Sequence, residues 1–529
     1  MSFVARSLSL GSRLFSPRLA RRLCLAASLS AAVVSASWAS AAAAAAPPHI
    51  VFILADDMGY GDVQCQNPQS KIPTPNLDRI AAEGRRFTDA HTTSSVCTPT
   101  RYGILTGRYN WRSRLKSGVL GGWSPPLIEN DRLTVASLLK QNGYYTAVVG
   151  KWHLGLGWQD NDATRPLTAG PNTLGFDHSF LVPASLDMSP YCYVVDHRVP
   201  NPPTEKVSAR VFGRVGVRTP GLVPEDVLGD LTRHTVEVIT EHAKARGDQP
   251  LFLYFPLTAP HTPVAPSGEF QGKTDSKYGD FVNEVDWSVG QVMDALGKAG
   301  MAENTLLIFT ADNGASPNAA SSAIAKGHAP NRPYRGGKST IWEGGHRVPF
   351  IVRWPARIEG GTTCSQTICT ADLMATCAEI VGAELPDNAG EDSFSFLPQL
   401  QAEPNDQAVR PTTIHHSISG AFAIRKGPWK LITVSGGGGW DTKDWGMPKV
   451  PVDRSVPMQL YDLVEDSGEK NNVYARHPRI VDELLAELTE LVNRGRSAPG
   501  APQHNDGKGP WRQLNWMKPA DYTNGQVTR

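Results

Sequence analysis

The sequence has no surplus of charge of either sign: Lys and Arg number 52 and Asp and Glu 51, a formal net charge of +1. A nucleic-acid binder normally carries a basic excess that this balance does not supply. Cysteine is scarce, with seven in 529 residues, so a dense disulfide framework is excluded. Beyond residue 46 no apolar run approaches the ~18 residues that a membrane helix requires, so the mature chain is expected outside the membrane. No internal repeat is visible. What is present is 40% hydrophobic and 19% charged residues, enough for a large core, with Gly 49 and Pro 41 marking many loops.

The first 22 residues carry Arg6, Arg13, Arg18, Arg21 and Arg22 and no acidic side chain. The apolar run Leu23–Val34, the small-x-small triplet Ser37-Trp38-Ala39 and an alanine tract follow. This order describes a secretory signal with a spacer over residues 1–46, and implies an exported, periplasmic or extracellular protein. An uncleaved anchor is the alternative, since 23–46 is long enough to span.

Four apolar runs end in polar clusters. His49–Ala55 leads into Asp56-Asp57, Thr146–Val149 into Gly150-Lys151-Trp152-His153, Leu251–Phe255 into Ala259-Pro260-His261, and Thr305–Ala311 into Asp312-Asn313-Gly314. Continuous apolar runs are strands buried on both faces. Helical patterns at Pro75–Glu83, Leu133–Asn142, Asp230–Ala245 and Tyr278–Ala299 alternate with them, which predicts an α/β fold with a mostly parallel sheet between helices. Ligands bind beyond the carboxyl ends of such strands, where all four clusters fall. A further strand at Phe350–Trp354 and a helix at Asp372–Val381 complete a catalytic domain over 47–395. Residues 385–411 read as a linker. Short strands at Ala421–Ile424, Trp429–Thr433 and Gln459–Leu463, with a helix at Ile480–Val492, predict a small α+β subdomain and tail over 396–529.

In Ser95-Val96-Cys97-Thr98-Pro99-Thr100-Arg101, Pro99 suits the first turn of a helix. That puts Cys97 among free backbone amides at the positive end of the helix dipole, with Arg101 on the same face. Such a nucleophile suits an anionic substrate. Asp56, Asp57, Asp312 and Asn313 offer only oxygen ligands, which favours a hard cation such as Ca²⁺ or Mg²⁺ over Zn²⁺. Lys151, Lys338 and Arg101 are candidate clamps for an anion, and His153 and His261 candidate proton carriers. His49, His91, His242 and His328 receive no role. His415, His416 and Arg425 are candidates to border the site from the second domain. Trp123, Trp158, Trp440 and Trp445 lie in loops where indole faces stack on sugars, and 182–216 has the texture of a specificity insert. A disulfide among Cys364, Cys369 and Cys377 or buried free thiols fit the remaining cysteines equally.

The Cys97 stretch, continuing Tyr102-Gly-Ile-Leu-Thr-Gly107, resembles the signature of the type I, formylglycine-dependent sulfatase family. Gly143–His153 resembles the family's second signature, and Leu54–Asp57, Thr310–Gly314 and Gly336–Gly345 its metal and lysine motifs, in order across about 49–355. The resemblance implies an alkaline-phosphatase-like sandwich with a small C-terminal domain. It implies a sulfuric ester hydrolase of arylsulfatase type, whose Cys97 becomes Cα-formylglycine through a formylglycine-generating enzyme. It also implies one Ca²⁺ held by Asp56, Asp57, Asp312, Asn313 and the residue at 97. His261 then stands near the leaving oxygen, while His153 takes the proton of the second hydroxyl. A sulfated carbohydrate is the expected substrate. The alternatives are a formylglycine phosphonate or phosphate monoesterase, and an inactive protein that binds sulfated glycans.

Overall fold

The computed structural model describes residues 46–401 and 407–524. The predicted leader, save its last residue, lies outside the described residues. From Pro48 onward the chain forms one compact unit.

Nine strands make the main sheet: β1 (His49–Ala55), β2 (Arg85–Phe87), β3 (Tyr145–Lys151), β4 (His178–Val182), β5 (Val194–Val195), β6 (Leu251–Pro256), β7 (Thr305–Ala311), β8 (Phe350–Arg353) and β9 (Thr362–Cys364). Their spatial order is β9-β2-β8-β7-β1-β6-β3-β4-β5. The five strands β7, β1, β6, β3 and β4 are parallel, with Ala55 beside Ala311 and Leu54 beside Pro256. Antiparallel β8 and β5 flank them.

The pleat explains why β1 is apolar throughout. Val51 and Ile53 face the core under the long helices α4 (Pro224–Arg246) and α5 (Lys277–Lys298). Ile50, Phe52 and Leu54 face the opposite core, under α2 (Cys97–Thr106), α3 (Val135–Gln141) and α6 (Leu373–Val381). Successive side chains on opposite faces both need an apolar partner when helices cover both sides. Helix α4 begins at Pro224, six residues before the predicted start, because Pro at N1 followed by Glu225 and Asp226 makes a favourable first turn. A further helix of the sandwich, α1 (Pro75–Ala82), also has Pro at its first position.

A second sheet of four antiparallel strands, β10 (Thr413–His416), β11 (Phe422–Lys426), β12 (Trp429–Ile432) and β13 (Gln459–Asp462), packs under helix α7 (Pro478–Arg494). Its core also takes in Tyr109 and Trp111, which directly follow the Cys97 helix. The stretch 385–411, expected as a linker, is partly packed into the body. Fully buried Asp392 is paired with Arg112, and fully buried Arg410 with Asp372.

The six cysteines among the described residues are all free, and all but Cys65 are buried. Of the two readings of Cys364, Cys369 and Cys377, the structure has the free thiols. No helix among the described residues is long and apolar enough to cross a membrane.

Candidate active site

The carboxyl ends of β1, β6, β3 and β7 bring the predicted side chains together. Cys97 is the first residue of α2, its N-cap Val96 is extended, and its side chain is buried. Two backbone positions beside it are left-handed: Asp57 at φ 67° and His153 at φ 59°. Such conformations in non-glycine residues cost of order 1–3 kcal/mol and persist where surroundings impose them, as at functional sites. Gly150, with φ 137°, lets β3 approach β6 just before Lys151; a Cβ there would collide with the carbonyl of Pro256.

Charge is organised in pairs. Arg101 donates from Nε and Nη2 to Asp312 Oδ2 at 3.0 and 2.8 Å, and from Nη1 to the Lys151 carbonyl at 2.8 Å. Lys151 Nζ bridges both oxygens of Asp56 at 2.9 and 2.7 Å. Lys338 Nζ donates to Asp57 Oδ2 at 2.7 Å, and His261 Nε2 lies 3.6 Å from the same oxygen. Asn313 Nδ2 donates to Asp57 Oδ1 at 2.8 Å, while its Oδ1 is buried without a hydrogen-bond partner. Asp56, Cys97 and Asp312 form one group close enough to share an ion, and Asp56, Asp57 and His261 another.

The electrostatics follow from burial opposed by neighbours. Burial disfavours the Asp56 anion, but Lys151, His261 and Arg101 outweigh it and hold its pKa below the ordinary value. At Asp312 burial and the Asp56 charge prevail over Arg101, and the pKa rises. Burial likewise raises the Cys97 thiol against the pull of Lys151 and Lys338, so the unmodified side chain is a poor thiolate. Burial, with Lys151 and Arg101 close by, drives His153 well below the usual histidine range. Its Nε2 donates to the Leu120 carbonyl at 2.7 Å, which leaves Nδ1 buried, unprotonated and without a partner. A neutral imidazole with a free lone pair is a base.

The donor set fits a hard cation. Four oxygen-bearing side chains converge, one amide oxygen is unsatisfied, and neighbouring carboxylates repel one another. Positive side chains beside buried carboxylates, a nucleophile at a helix N-terminus and two histidines can together hold an ester and move its protons.

Some expectations are redirected. His415 and Arg425 do not reach this constellation. His415 stacks on His346 with ring centroids 3.8 Å apart, and Arg425 pairs with Asp89 at 2.7 Å. They belong to a buried network with His91, whose Nδ1 lies 3.0 Å from His346 Nδ1. His91 therefore has partners that a sequence pattern could not show. The network lies behind the nucleophile loop: the Thr92 carbonyl meets His415 Nδ1 at 3.1 Å, and Ser95 N donates to the His416 carbonyl at 2.9 Å. Sequence reasoning also missed Leu120, which acts through its carbonyl and so leaves no residue-type signal. Trp123 and Trp158 pack edge to face at 4.9 Å. Trp123 and Leu120 share a shallow groove with Met188, Ser189, Arg214 and Val215 of the 182–216 segment. Trp440 N donates to Ser339 Oγ beside Lys338, and Trp445 is buried against Gly337.

Fold and site together define an alkaline-phosphatase-like hydrolase of anionic esters. A sulfatase family model matches residues 48–383, and a model of the N-sulphoglucosamine sulphohydrolase C-terminal region matches 337–496. The chain belongs to the sulfatase family and is a sulfuric ester hydrolase. It is 34% identical over 491 residues to an N-acetylgalactosamine-6-O-sulfatase of Bacteroides thetaiotaomicron, covering 84% of this chain and 93% of that protein. It is 34% identical over 469 residues to arylsulfatase A of Homo sapiens, covering 84% and 87%. A solved structure from work on glycosaminoglycan metabolism by B. thetaiotaomicron superposes with a TM-score of 0.76 at 33% identity, over 85% of this chain and 99% of that one.

Proposed function

We propose that the protein is an exported, Ca²⁺-dependent sulfatase. It removes sulfate from a sulfated carbohydrate, and also from aryl sulfates, through Cα-formylglycine formed from Cys97 by a formylglycine-generating enzyme. The observation that carries this reading is the convergence on Cys97 of an all-oxygen ligand set and the cations of Arg101, Lys151 and Lys338. The carbohydrate assignment rests on the N-acetylgalactosamine-6-O-sulfatase relative. Export rests on the arginine-rich, then apolar leader.

Asp56, Asp57, Asp312 and Asn313 would hold the ion, which supplies Lewis-acid polarisation of a sulfate oxygen. Position 97, once converted to a hydrated aldehyde, would supply two hydroxyls: one to attack sulfur as the ester oxygen departs, the other to lose its proton so that sulfate is expelled and the carbonyl reforms. The remaining work falls to this chain's own side chains. Lys151 and Lys338 flank the nucleophile and offset charge on the transferring group. Arg101 anchors Asp312 and ties the nucleophile helix to β3 through the Lys151 carbonyl. His261 Nδ1 donates to the Thr262 carbonyl at 2.6 Å and its Nε2 lies 3.6 Å from Asp57 Oδ2, so the doubly protonated ring can deliver the Nε2 proton to the departing oxygen. His153, held neutral with Nδ1 free, accepts the proton of the second hydroxyl. The test is sulfate release from a panel of sulfated mono- and oligosaccharides. Turnover of at least one, abolished by Cys97→Ala, is expected; hydrolysis of phosphate or phosphonate esters in preference to every sulfate ester would overturn the reading.

A further inference from the structure

The loop between β12 and β13 does more than connect strands. Residues 436–454 lie over the segments that carry the site. Trp440 N donates to Ser339 Oγ, Lys443 Nζ lies 3.4 Å from Asn318 Oδ1, and a Cβ on Gly337 would collide with the Trp445 ring. Gly337 precedes Lys338, whose ammonium holds Asp57. The loop and the Gly336–Trp342 turn enclose a groove of about 800 Å³.

Its lining charge is one-sided. Arg335, Lys443, Lys449, Arg454 and Lys470 face it, against the single carboxylate of Asp441. That carboxylate is already engaged, by Arg454 at 3.3 Å and by the Gly437 amide at 3.1 Å. Arg335 is built in, lying 3.9 Å over the Trp342 ring and donating to the Glu469 carbonyl at 2.8 Å. Lys443, Lys449 and Lys470 are exposed, and none has a carboxylate within ion-pair distance among the described residues. The nearby acids Asp444 and Asp453 accept from their own turns, at Gly446 N and Ser455 N. Trp342 and Trp445 also line the groove but are largely buried, Trp342 under Arg335 and Trp445 against Gly337. Arg454 and Asp441 also line a smaller groove that runs past Trp440 and Ser419.

Lysines without a carboxylate partner, on a groove walled by Gly336 and Trp342 of the turn that carries Lys338, suit a polyanionic sugar chain rather than a single sulfate. Resting on the sulfatase reading, we infer that this groove is an extended subsite. It holds anionic groups on the sugars adjoining the one that loses its sulfate, so the preferred substrate is a polyanionic oligosaccharide.

The experiment uses the full chain and the triple variant Lys443→Glu/Lys449→Glu/Lys470→Glu, with Lys449→Glu alone as a milder change. The probes are N-acetylgalactosamine 6-sulfate and a hexasaccharide that repeats it between uronates. The triple variant should raise KM for the hexasaccharide about tenfold or more, each 1.4 kcal/mol of lost binding being tenfold, and leave the monosaccharide's kcat/KM within about twofold. Lys449→Glu should fall between, and the effect should shrink at high salt. Equal losses on both probes, or none on either, would overturn the inference. Calorimetric titration of Cys97→Ala protein with the hexasaccharide separates the two readings. Binding that the triple variant loses supports the groove even if no ester is hydrolysed, and turnover without groove-dependent binding supports the sulfatase reading alone.

Discussion

Lys151 Nζ spans the two carboxylate oxygens of Asp56, at 2.9 and 2.7 Å, and neither side chain has any exposed surface. Removing one partner of such a pair strands a buried charge, at a cost of about 3–5 kcal/mol. Lys151→Ala should therefore lower the unfolding free energy as well as turnover. Lys151→Arg keeps the charge but not the compact ammonium, so it should preserve stability better than catalysis. Urea titration beside a sulfate-release assay checks both. A Lys151→Ala protein as stable as the parent would show that Asp56 does not depend on this lysine.

The oxygen ligand set makes a prediction independent of turnover. A ligand that binds only the folded state at 100 times its Kd adds about 2.7 kcal/mol of stability. Chelation should lower the melting temperature of the parent, and added Ca²⁺ should restore it. Asp312→Ala should be insensitive to both treatments. Calorimetric scans decide; an equal response in the variant would place the ion elsewhere.

His261 and His153 are separable by leaving group. General acid catalysis is worth about 10²–10⁴-fold and helps most when the departing oxygen is strongly basic. His261→Ala should damage hydrolysis of a sugar sulfate far more than that of a nitrophenyl sulfate. His153→Ala should slow both alike and let a sulfated adduct at position 97 accumulate. If Lys338→Ala carries the leaving-group dependence and His261→Ala does not, the two roles are exchanged.

Much of this architecture was legible because the parallel strands are buried on both faces. His49–Ala55 and Thr305–Ala311 have the predicted bounds, since an apolar run ending in Asp marks the point where a strand leaves the core. Strands toward the sheet margins were not legible. Arg85–Phe87, one in from the edge strand β9, contains two arginines, and the edge strand Val194–Val195 is only two residues long. Their pairing comes from neighbours far along the chain rather than from local pattern. The same limit hid the His91–His346–His415 network, because its partners are up to 324 positions apart (91 to 415). Cys97, Asp56, Asp57, Asp312 and Asn313 stood out as candidates because each opens a helix or follows a strand end, whereas Lys338 lies in a turn. The tautomer of His153 was not legible, because a backbone carbonyl sets it.

Glu284, far from the nucleophile in sequence, gives a pH test of the fold. It is 1% exposed, and burial raises its pKa from 4.5 to about 7, against the hydrogen bond from Ser267 N. The protonated form is thus favoured in the folded state. Its contribution is fully present below about pH 4.5 and is lost as pH rises toward 7, a span worth about 3 kcal/mol. Glu284→Gln keeps an acceptor for Ser267 and should flatten stability across that window. Denaturant midpoints measured from pH 5 to 8 check it, and identical profiles for the two proteins would refute it.

The central claim is the identity of the nucleophile, and peptide mass spectrometry across Cys97 on protein of known specific activity tests it most directly. After co-expression with a formylglycine-generating enzyme, the peptide spanning Cys97–Arg101 should carry an aldehyde in place of the thiol. The aldehyde fraction should rise in proportion to the sulfate-releasing activity. Fully active protein with an unmodified Cys97 thiol would contradict the account.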